Sequence, residues 1–503
     1  MPASASTTAG PTAPLPGARA ALVLLLVINL FNYIDRQVLS AVLPRLQLDG
    51  ALFSPTDPDI QFKSGLLTSA FLVSYMLVSP LVGWLDGHGY RRWVILGIGV
   101  SVWSLASGCS GFATGYWVLF ATRCVVGVGE GAYGPVSSAL LADVFPPDRR
   151  GFVMAAFNMA IPVGSALGFV IGGNVADLYD DWRPAFLITF SGLLLGVWCF
   201  AKKELPRSTT AAQQDGAPGY FAVLKVLAKN RSFVLCCAGM TAVTFVLGGV
   251  AAYIPNYVFQ RESRFALTAD TLTALANPPK ESKRRVVPGE VVETLRPKAD
   301  GVERDLAGLK AHLADVLPGD LGQLYFETVA TTATTPASPS LGGINTYFGA
   351  IVVLGGLAAT AFGAWLGEYL RKRGVRGAYF LVIGLGALAA LPFYLAFLYT
   401  PFPVGWVFVF LTVFGLFMHV GPGFTIVANV VTSEVRATAF AINILVIHAL
   451  GDVISPPLIG LTADATSLHT AFLLMSSVVV LGGLLWVWGA KYLDEDTRRA
   501  EPG

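Results

Sequence analysis

Arg123-Cys-Val-Val-Gly127-Val-Gly129-Glu130-Gly131-Ala-Tyr133-Gly-Pro135 lies inside an apolar run from Tyr116 to Val144. A run of that length is long enough to cross a bilayer, so an arginine and a glutamate are carried into the hydrocarbon region. A charge there costs several kcal/mol unless it faces a cavity or a partner, which makes each one a functional candidate by default. Positions 123 and 130 are close to two helical turns apart, so both side chains and Gly127 share a face. That face is expected to look into something polar.

Gly129-x-Gly131-x-x-Gly134 also fits the dinucleotide-binding fingerprint. That motif needs a preceding strand and a soluble βαβ unit, and neither is present. The glycines read better as small contacts that let neighbouring membrane helices approach.

Composition extends the membrane reading to the whole chain. Of 503 residues 54% are hydrophobic and only 13% charged, and the mean hydropathy is +0.62. These values, with many apolar runs near span length, indicate an all-α polytopic membrane protein. A net charge of +2 gives no argument for nucleic acid. Cys109, Cys124, Cys199, Cys236 and Cys237 all fall in apolar stretches without ligand spacing, which excludes a disulfide framework and a zinc site. The first apolar run contains Asn29, Asn32, Asp35 and Arg36 and is too long for a signal segment, so it counts as a membrane helix.

Twelve spans are expected, near 20–43, 62–86, 92–112, 116–144, 150–176, 184–201, 231–259, 343–370, 377–399, 404–431, 437–462 and 469–491. The basic clusters Arg91/Arg92, Arg149/Arg150, Lys202/Lys203/Arg207 with Lys225, Lys229 and Arg231, and Arg371/Lys372/Arg373/Arg376 occupy alternate connections. By the positive-inside rule both termini are cytoplasmic, in an inner or plasma membrane. Residues 1–19 and 493–503 form cytoplasmic tails, the first of them disordered, and 202–230 is a linker between six-span halves at 20–201 and 231–492. A polar insert at 261–341 falls outside, with an amphipathic helix expected at Val302–Leu317 and a short hairpin at Arg284–Leu295. It either caps or gates, or is a passive loop.

The halves resemble each other. Gly83-Trp-Leu-Asp86-Gly-His-Gly89-Tyr-Arg91-Arg92 after span two matches Gly363-Ala-Trp-Leu366-Gly-Glu368-Tyr-Leu-Arg371-Lys-Arg373 after span eight. Asp143-x4-Asp148-Arg149-Arg150 before span five matches Ser433-Glu434-Val-Arg436 before span eleven. Duplicated six-span halves signal an alternating-access transporter with its site at the midplane. Asp86 with Arg91, and Glu368 with Arg371, are the candidate gating pairs; a solvated surface cluster is the plain alternative.

Asp35 and Arg36 are adjacent, so their side chains diverge by about 100°. At most one faces the cavity, and Asp35 is expected to be that one, near Arg123 or Glu130. A carboxylate there could load and release a proton as the helices move; a structural ion pair locking spans one and four is the alternative. In span eleven His448 and Asp452 share a face, and Pro456/Pro457 predict a kink. His448 alone reads at least as well as a core residue, and His419 more weakly still. Gly164, Gly168 and Gly172 of span five form a small-residue ladder for helix packing. No phosphate-cradling loop, metal cluster or nucleophile elbow is present, so an enzyme is not expected.

The Asp-x-x-Gly segment at Asp86 and Arg123-x-x-x-Gly-x-Gly resemble the major facilitator superfamily. Asn32-Tyr-Ile-Asp35-Arg36, Ser64-Gly65-Leu-Leu with Ser74-Tyr75-Met, Val126-Gly-Val-Gly-Glu130-Gly-Ala-Tyr133, Ile161-Pro-Val-Gly-Ser-x-Leu-Gly168 and His448-x-x-Gly451-Asp452-x-x-Ser455-Pro456 resemble its spinster lineage. Three departures stand out: the leading glycine of the first signature is displaced by one, Gly87 stands where a basic residue is expected after Asp86, and the insert is long.

The resemblance implies a major facilitator fold of twelve helices and proton-linked movement of lysophospholipids or sphingoid phosphates. It implies proton coupling at Asp35 and Glu130, with Arg123 linking them or meeting the headgroup. Tyr133, His448 and Asp452 join Arg123 as candidate substrate contacts. Expected partners are the lipid substrate, protons and membrane lipids, with no nucleic acid, cofactor or metal, on a monomeric chain. A symporter of small organic anions is the alternative, and a non-transporting membrane sensor is a third.

Overall fold

The computed structural model describes residues 14–54, 57–205, 220–277, 286–432 and 435–500. The expectations for residues 1–13, for most of the linker and for Ser433 and Glu434 lie outside these, as do the side chains of Asp148 and Arg150. Among the described residues twelve spans are formed. The first four are Ala18–Leu48, Ile60–Gly87, Arg92–Ser110 and Tyr116–Val144. Span five is Pro147–Asn158 continued by Ala160–Tyr179, and span six is Arg183–Thr189 continued by Gly192–Phe200. In the second half, spans seven to nine are Arg231–Glu262, Leu341–Lys372 and Ala378–Tyr399. Span ten is Gly405–Phe417 and Val420–Asn429, span eleven runs from Arg436 to Ala465 in pieces, and span twelve is Leu468–Gly489. Eleven are long and apolar enough to cross a membrane by hydropathy alone. The twelfth is span four, 29 residues long, which owes its lower hydropathy to its glycines and buried charges.

The kink expected in span eleven is a π turn, His448–Asp452, between Arg436–Ile447 and Ser455–Ala465. Pro456 sits in the first turn of the piece that follows, where its missing N–H costs nothing. Several starts use side-chain caps: Asn230 accepts from the Phe233 N–H, Ser340 from Gly343 and Ser467 from Thr470.

Glycines set how closely the spans approach. A Cβ at Gly127 would lie 2.1 Å from the Phe71 carbonyl oxygen in span two, and one at Gly129 2.6 Å from the Gly99 carbonyl in span three. The Gly164/Gly168/Gly172 ladder rests on Tyr33, Ile34 and Ala41 of span one. It therefore packs two helices of the same half.

The insert folds into short helices around its own apolar core of Leu267, Leu275, Leu295, Leu309, Leu313 and Val329, against which Leu48 of span one also packs. The amphipathic helix is Leu306–Val316, with Asp305 accepting from Gly308 as its cap. The expected hairpin is corrected: Gly289–Leu295 is helical. Val291, Val292 and Leu295 are spaced for one helical face and all three are buried in that core, which overrides the strand preference of the valines.

The hydrogen bonds described between the two halves lie at mid-span or toward the insert end. Asn345 Nδ2 donates to the Ala41 carbonyl (3.0 Å), Tyr253 to the Gln61 carbonyl and Ser69 to the Val453 carbonyl (2.6 Å). Gln47, Gln61, Asn256 and Gln260 form one amide network there. At the end carrying the termini, described ionic contacts stay within one half: Arg92 with Asp86 and Asp143, and Arg371 with Glu368.

Candidate functional site

Spans one and four bring four charges together. Arg36 Nε lies 2.8 Å from Glu130 Oε2. Arg123 Nη2 lies 3.6 Å from Asp35 Oδ2. Consecutive residues of span one thus pair with span-four residues two turns apart, in the crossed sense that charge complementarity requires.

Asp35, Arg123 and Glu130 are essentially inaccessible, at 0%, 0% and 1%. Asp35 accepts a hydrogen bond from Ser107 of span three, whose hydroxyl also meets Thr189 of span six at 2.7 Å. The expectation that Asp35 is the cavity-facing member is therefore corrected. It turns into its own half, and Arg36 is the partly exposed one, at 18% of its side chain. The longer arginine can carry its head outward past a helix that a carboxylate cannot clear. Its guanidinium lies 4.8 Å from the Tyr33 ring centre, 5.3 Å from Phe71 and 5.4 Å from Tyr75, aromatic faces that favour a cation.

Among the described residues, none accepts a hydrogen bond from the three guanidinium nitrogens of Arg123. Asp35 and the rings of Phe71 (6.0 Å) and Phe186 (5.9 Å) surround it. A buried guanidinium holding five unused donors in a rigid fork is suited to an oxyanion such as phosphate or carboxylate.

The other candidates fall in two places. Tyr133 donates to the Leu25 carbonyl at 2.5 Å and packs edge-on against Trp103, so both hydroxyl and ring are engaged inside the first half. His448 Nδ1 lies 2.7 Å from Asp452 Oδ2 across the π turn, with the imidazole side chain 37% exposed. Asp452 packs on Gly248 of span seven. His419 bonds the Leu416 carbonyl and stacks on Trp486, a core placement.

Of the gating candidates, Glu368 takes Arg371 at 2.7 Å and the Tyr379 hydroxyl at 2.7 Å. Asp86 pairs with Arg92 rather than Arg91. Arg92 opens span three and is drawn in between Asp86, Asp143 and Glu204, which accepts its backbone N–H, whereas Arg91 is exposed.

Between the halves is a cavity of about 160 Å³, whose lining includes Gln37, next in sequence to Arg36, but none of the four charged residues. Gln37, Ser165 and Phe169 wall it from the first half, and Val250, Tyr394 and Leu416 from the second. Nearly all of its lining is apolar. Sequence reasoning missed Arg36 as a site residue, although Asn32-Tyr-Ile-Asp35-Arg36 already placed it one position from a chosen acid.

Comparison with known proteins follows this geometry. A model of the Major Facilitator Superfamily matches residues 25–276. Protein spinster homolog 1 of Homo sapiens is 31% identical, over 97% of this chain and 83% of its own length. Protein spinster homolog 3 of Danio rerio is 30% identical, over 96% and 86%. The crystal structure of a bacterial homolog to the human lysosomal transporter spinster, in an inward-facing and unoccupied conformation, superposes with a TM-score of 0.68 at 17% identity. That match covers 96% of this chain and 98% of the other.

Proposed function

The chain belongs to the major facilitator superfamily, in its spinster lineage, and is a multi-pass membrane transporter; from that premise we propose that it moves single-chain amphipathic lipids, coupled to protons, by alternating access. The observation that carries the lipid reading is an almost wholly apolar cavity between the halves, whose lining residue Gln37 follows Arg36 of the buried charge pairs in sequence. A small organic anion would need several further polar groups facing inward to replace its hydration, whereas an alkyl chain needs apolar walls.

In this reading Arg123 meets the phosphate of a lysophospholipid or sphingoid phosphate, and the alkyl chain follows the apolar lining. Asp35 and Glu130 exchange the coupled proton. Each acid shares a pair with an arginine, so neutralising the acid frees its arginine for an anionic headgroup. His448 and Asp452, paired on span eleven of the second half, are the contacts proposed for the far side of the headgroup. Tyr133 serves as a post that fixes span four to span one. In this reading both termini are cytoplasmic, in an inner or plasma membrane, and the insert lies outside, an orientation the basic clusters support. The described contacts between the halves lie at mid-span and toward the insert end, which supports an inward-facing reading in which the Asp86 and Glu368 pairs belong to the parted gate.

The deciding experiment reconstitutes the purified chain in liposomes. Uptake of lysolipids and of small organic anions is compared with and without an imposed proton gradient. Gradient-stimulated lysolipid uptake supports the proposal. Uptake of anions alone would replace the substrate class, and no flux of either would favour a sensor.

A further inference from the structure

Span five ends Gly173-Asn-Val-Ala176-Asp177, and span eleven, its counterpart in the second half, ends Gly460-Leu-Thr-Ala463-Asp464. The Gly-x-x-Ala-Asp register is the same, and each aspartate reaches across to the other half. Asp177 Oδ2 accepts from the backbone N–H of Gly342, the second residue of span eight, at 2.6 Å. Asp464 accepts from the N–H groups of Gln61 and Phe62, second and third residues of span two, at 3.0 and 2.8 Å.

The glycine one turn before each aspartate lies on the same face, where the partner helix presses. A Cβ at Gly460 would stand 2.3 Å from the Gln61 carbonyl oxygen, and one at Gly173 2.6 Å from Asn345 Nδ2. Each motif is thus a joint of two parts: a glycine that admits the opposite helix, and an acid that caps it.

The first N–H groups of a helix have no partner within it, and the helix dipole makes that end attractive to a carboxylate. The two receiving helices differ in how far they depend on the visitor. Span eight has its own cap, Ser340, whereas at span two the N-cap residue Asp59 makes no side-chain cap bond. Asp464 therefore supplies the side-chain cap of span two from the other half. The surroundings differ too. Asp177 also meets Arg45 at 3.4 Å, while Asp464 has Asp57 and Asp59 in electrostatic range and no direct cationic partner among the described residues.

We propose that Asp177 and Asp464 are a matched pair of positioning residues that hold the insert end shut, each a carboxylate latch on a helix start that breaks when the halves part there. Neither belongs to the charge quartet of spans one and four. The proposal rests on the alternating-access reading but not on the identity of the substrate. It also makes the closure unequal, with the Asp464 latch the stronger because span two has no cap side chain of its own in use.

The test uses the full chain in liposomes, with the native cysteines replaced and Ser69→Cys as reporter. Ser69 is buried between the halves, below the latches, where it bonds the Val453 carbonyl. Labelling by a membrane-impermeant maleimide from the insert side reads opening without any substrate. Asp464→Asn should raise the labelling rate about tenfold, the scale of one lost charge-assisted bond. Asp177→Asn should raise it less and the double variant more, with Asp464→Glu recovering part of the closure and the melting temperature unchanged. An unchanged rate in the double variant overturns the proposal. If the double variant fails to fold, Asp177→Asn carries the test, since Ser340 still caps its helix, and no change there overturns the proposal as well. Faster labelling in a chain that carries no lysolipid would remove the substrate reading and leave the latches standing.

Discussion

Arg36 Nε sits 2.8 Å from Glu130 Oε2 while its neighbour Asp35 points the other way to Arg123 at 3.6 Å. One turn of span one is thereby bound to two turns of span four through opposite charges. Neither acid can leave its pair without exposing an uncompensated arginine, and neither arginine can turn to an anionic ligand without releasing an acid. In the proposed mechanism that constraint couples a proton to an anion, the released acid taking up the proton.

Glu130→Gln should abolish proton-gradient-driven uptake while leaving the fold intact. Glutamine keeps the volume and one acceptor for Arg36 but cannot carry the proton. The check is uptake with and without a gradient beside a melting curve; undiminished gradient-driven uptake would remove Glu130 from the coupling.

Arg36→Met should destabilise the chain by about 3 kcal/mol, because it strands the Glu130 carboxylate in a buried site. Arg36→Met combined with Glu130→Gln should recover most of that loss, since no buried charge is then left unpaired. A thermal-unfolding double-mutant cycle in detergent measures both. Additive losses would mean the two side chains are not energetically coupled.

The twelve spans were legible because hydropathy and length are local properties. So was a position for Asp35 near Arg123 or Glu130, which the cost of a buried charge demanded, but the choice of Arg123 was made by the structure. The crossed pairing of Arg36 was not, because adjacent residues diverge by about 100° and only packing against spans two and three decides which clears the helix. Asp86 chose Arg92 over Arg91 for the same reason, since the start of span three buries one arginine and leaves the other in solvent. The two Gly-x-x-Ala-Asp endings were in plain view, but their meaning lies across the interface, where no single-helix pattern reaches.

Arg123→Ala should weaken binding of phosphorylated single-chain lipids more than of uncharged analogues of the same chain length. The substitution removes the only cation of span four and the fork of donors that suits a phosphate. Scintillation proximity or calorimetric binding with matched lipid pairs gives the ratio, and an equal loss for both would assign Arg123 to structure alone.

The loop joining spans one and two should be insensitive to pH from about 8 to 5. Burial alone would push the Asp57 carboxyl up, but hydrogen bonds from Lys63 and from the Asp59 N–H outweigh it and hold it below the usual carboxylate range. A depressed acid contributes stability above its unfolded value near 4, and that contribution is lost as pH falls through the lowered folded value. Proteolysis around Asp57 should therefore accelerate only below about pH 4, and Lys63→Met should move the onset upward. Acceleration between pH 7 and 5 would contradict the assignment.

Leu313→Ala separates the insert from the membrane bundle. Leu313 is 1% exposed in a core that belongs to the insert apart from the contact with Leu48. Losing its buried methyl groups should cost the insert about 2–5 kcal/mol and leave the span interfaces untouched. Leu306 and Phe326 of the insert also wall the vestibule above Gln47 and Asn256, so a loosened insert uncovers the amide network that joins the halves. Hydrogen exchange should then speed up across Leu306–Val316 and Phe326–Thr332 with the bundle's protection unchanged, and a cysteine at Gln260 should label faster from the insert side. If exchange rises in the insert while Gln260→Cys labels at its former rate, the insert folds beside the vestibule without roofing it, and a capping role is lost.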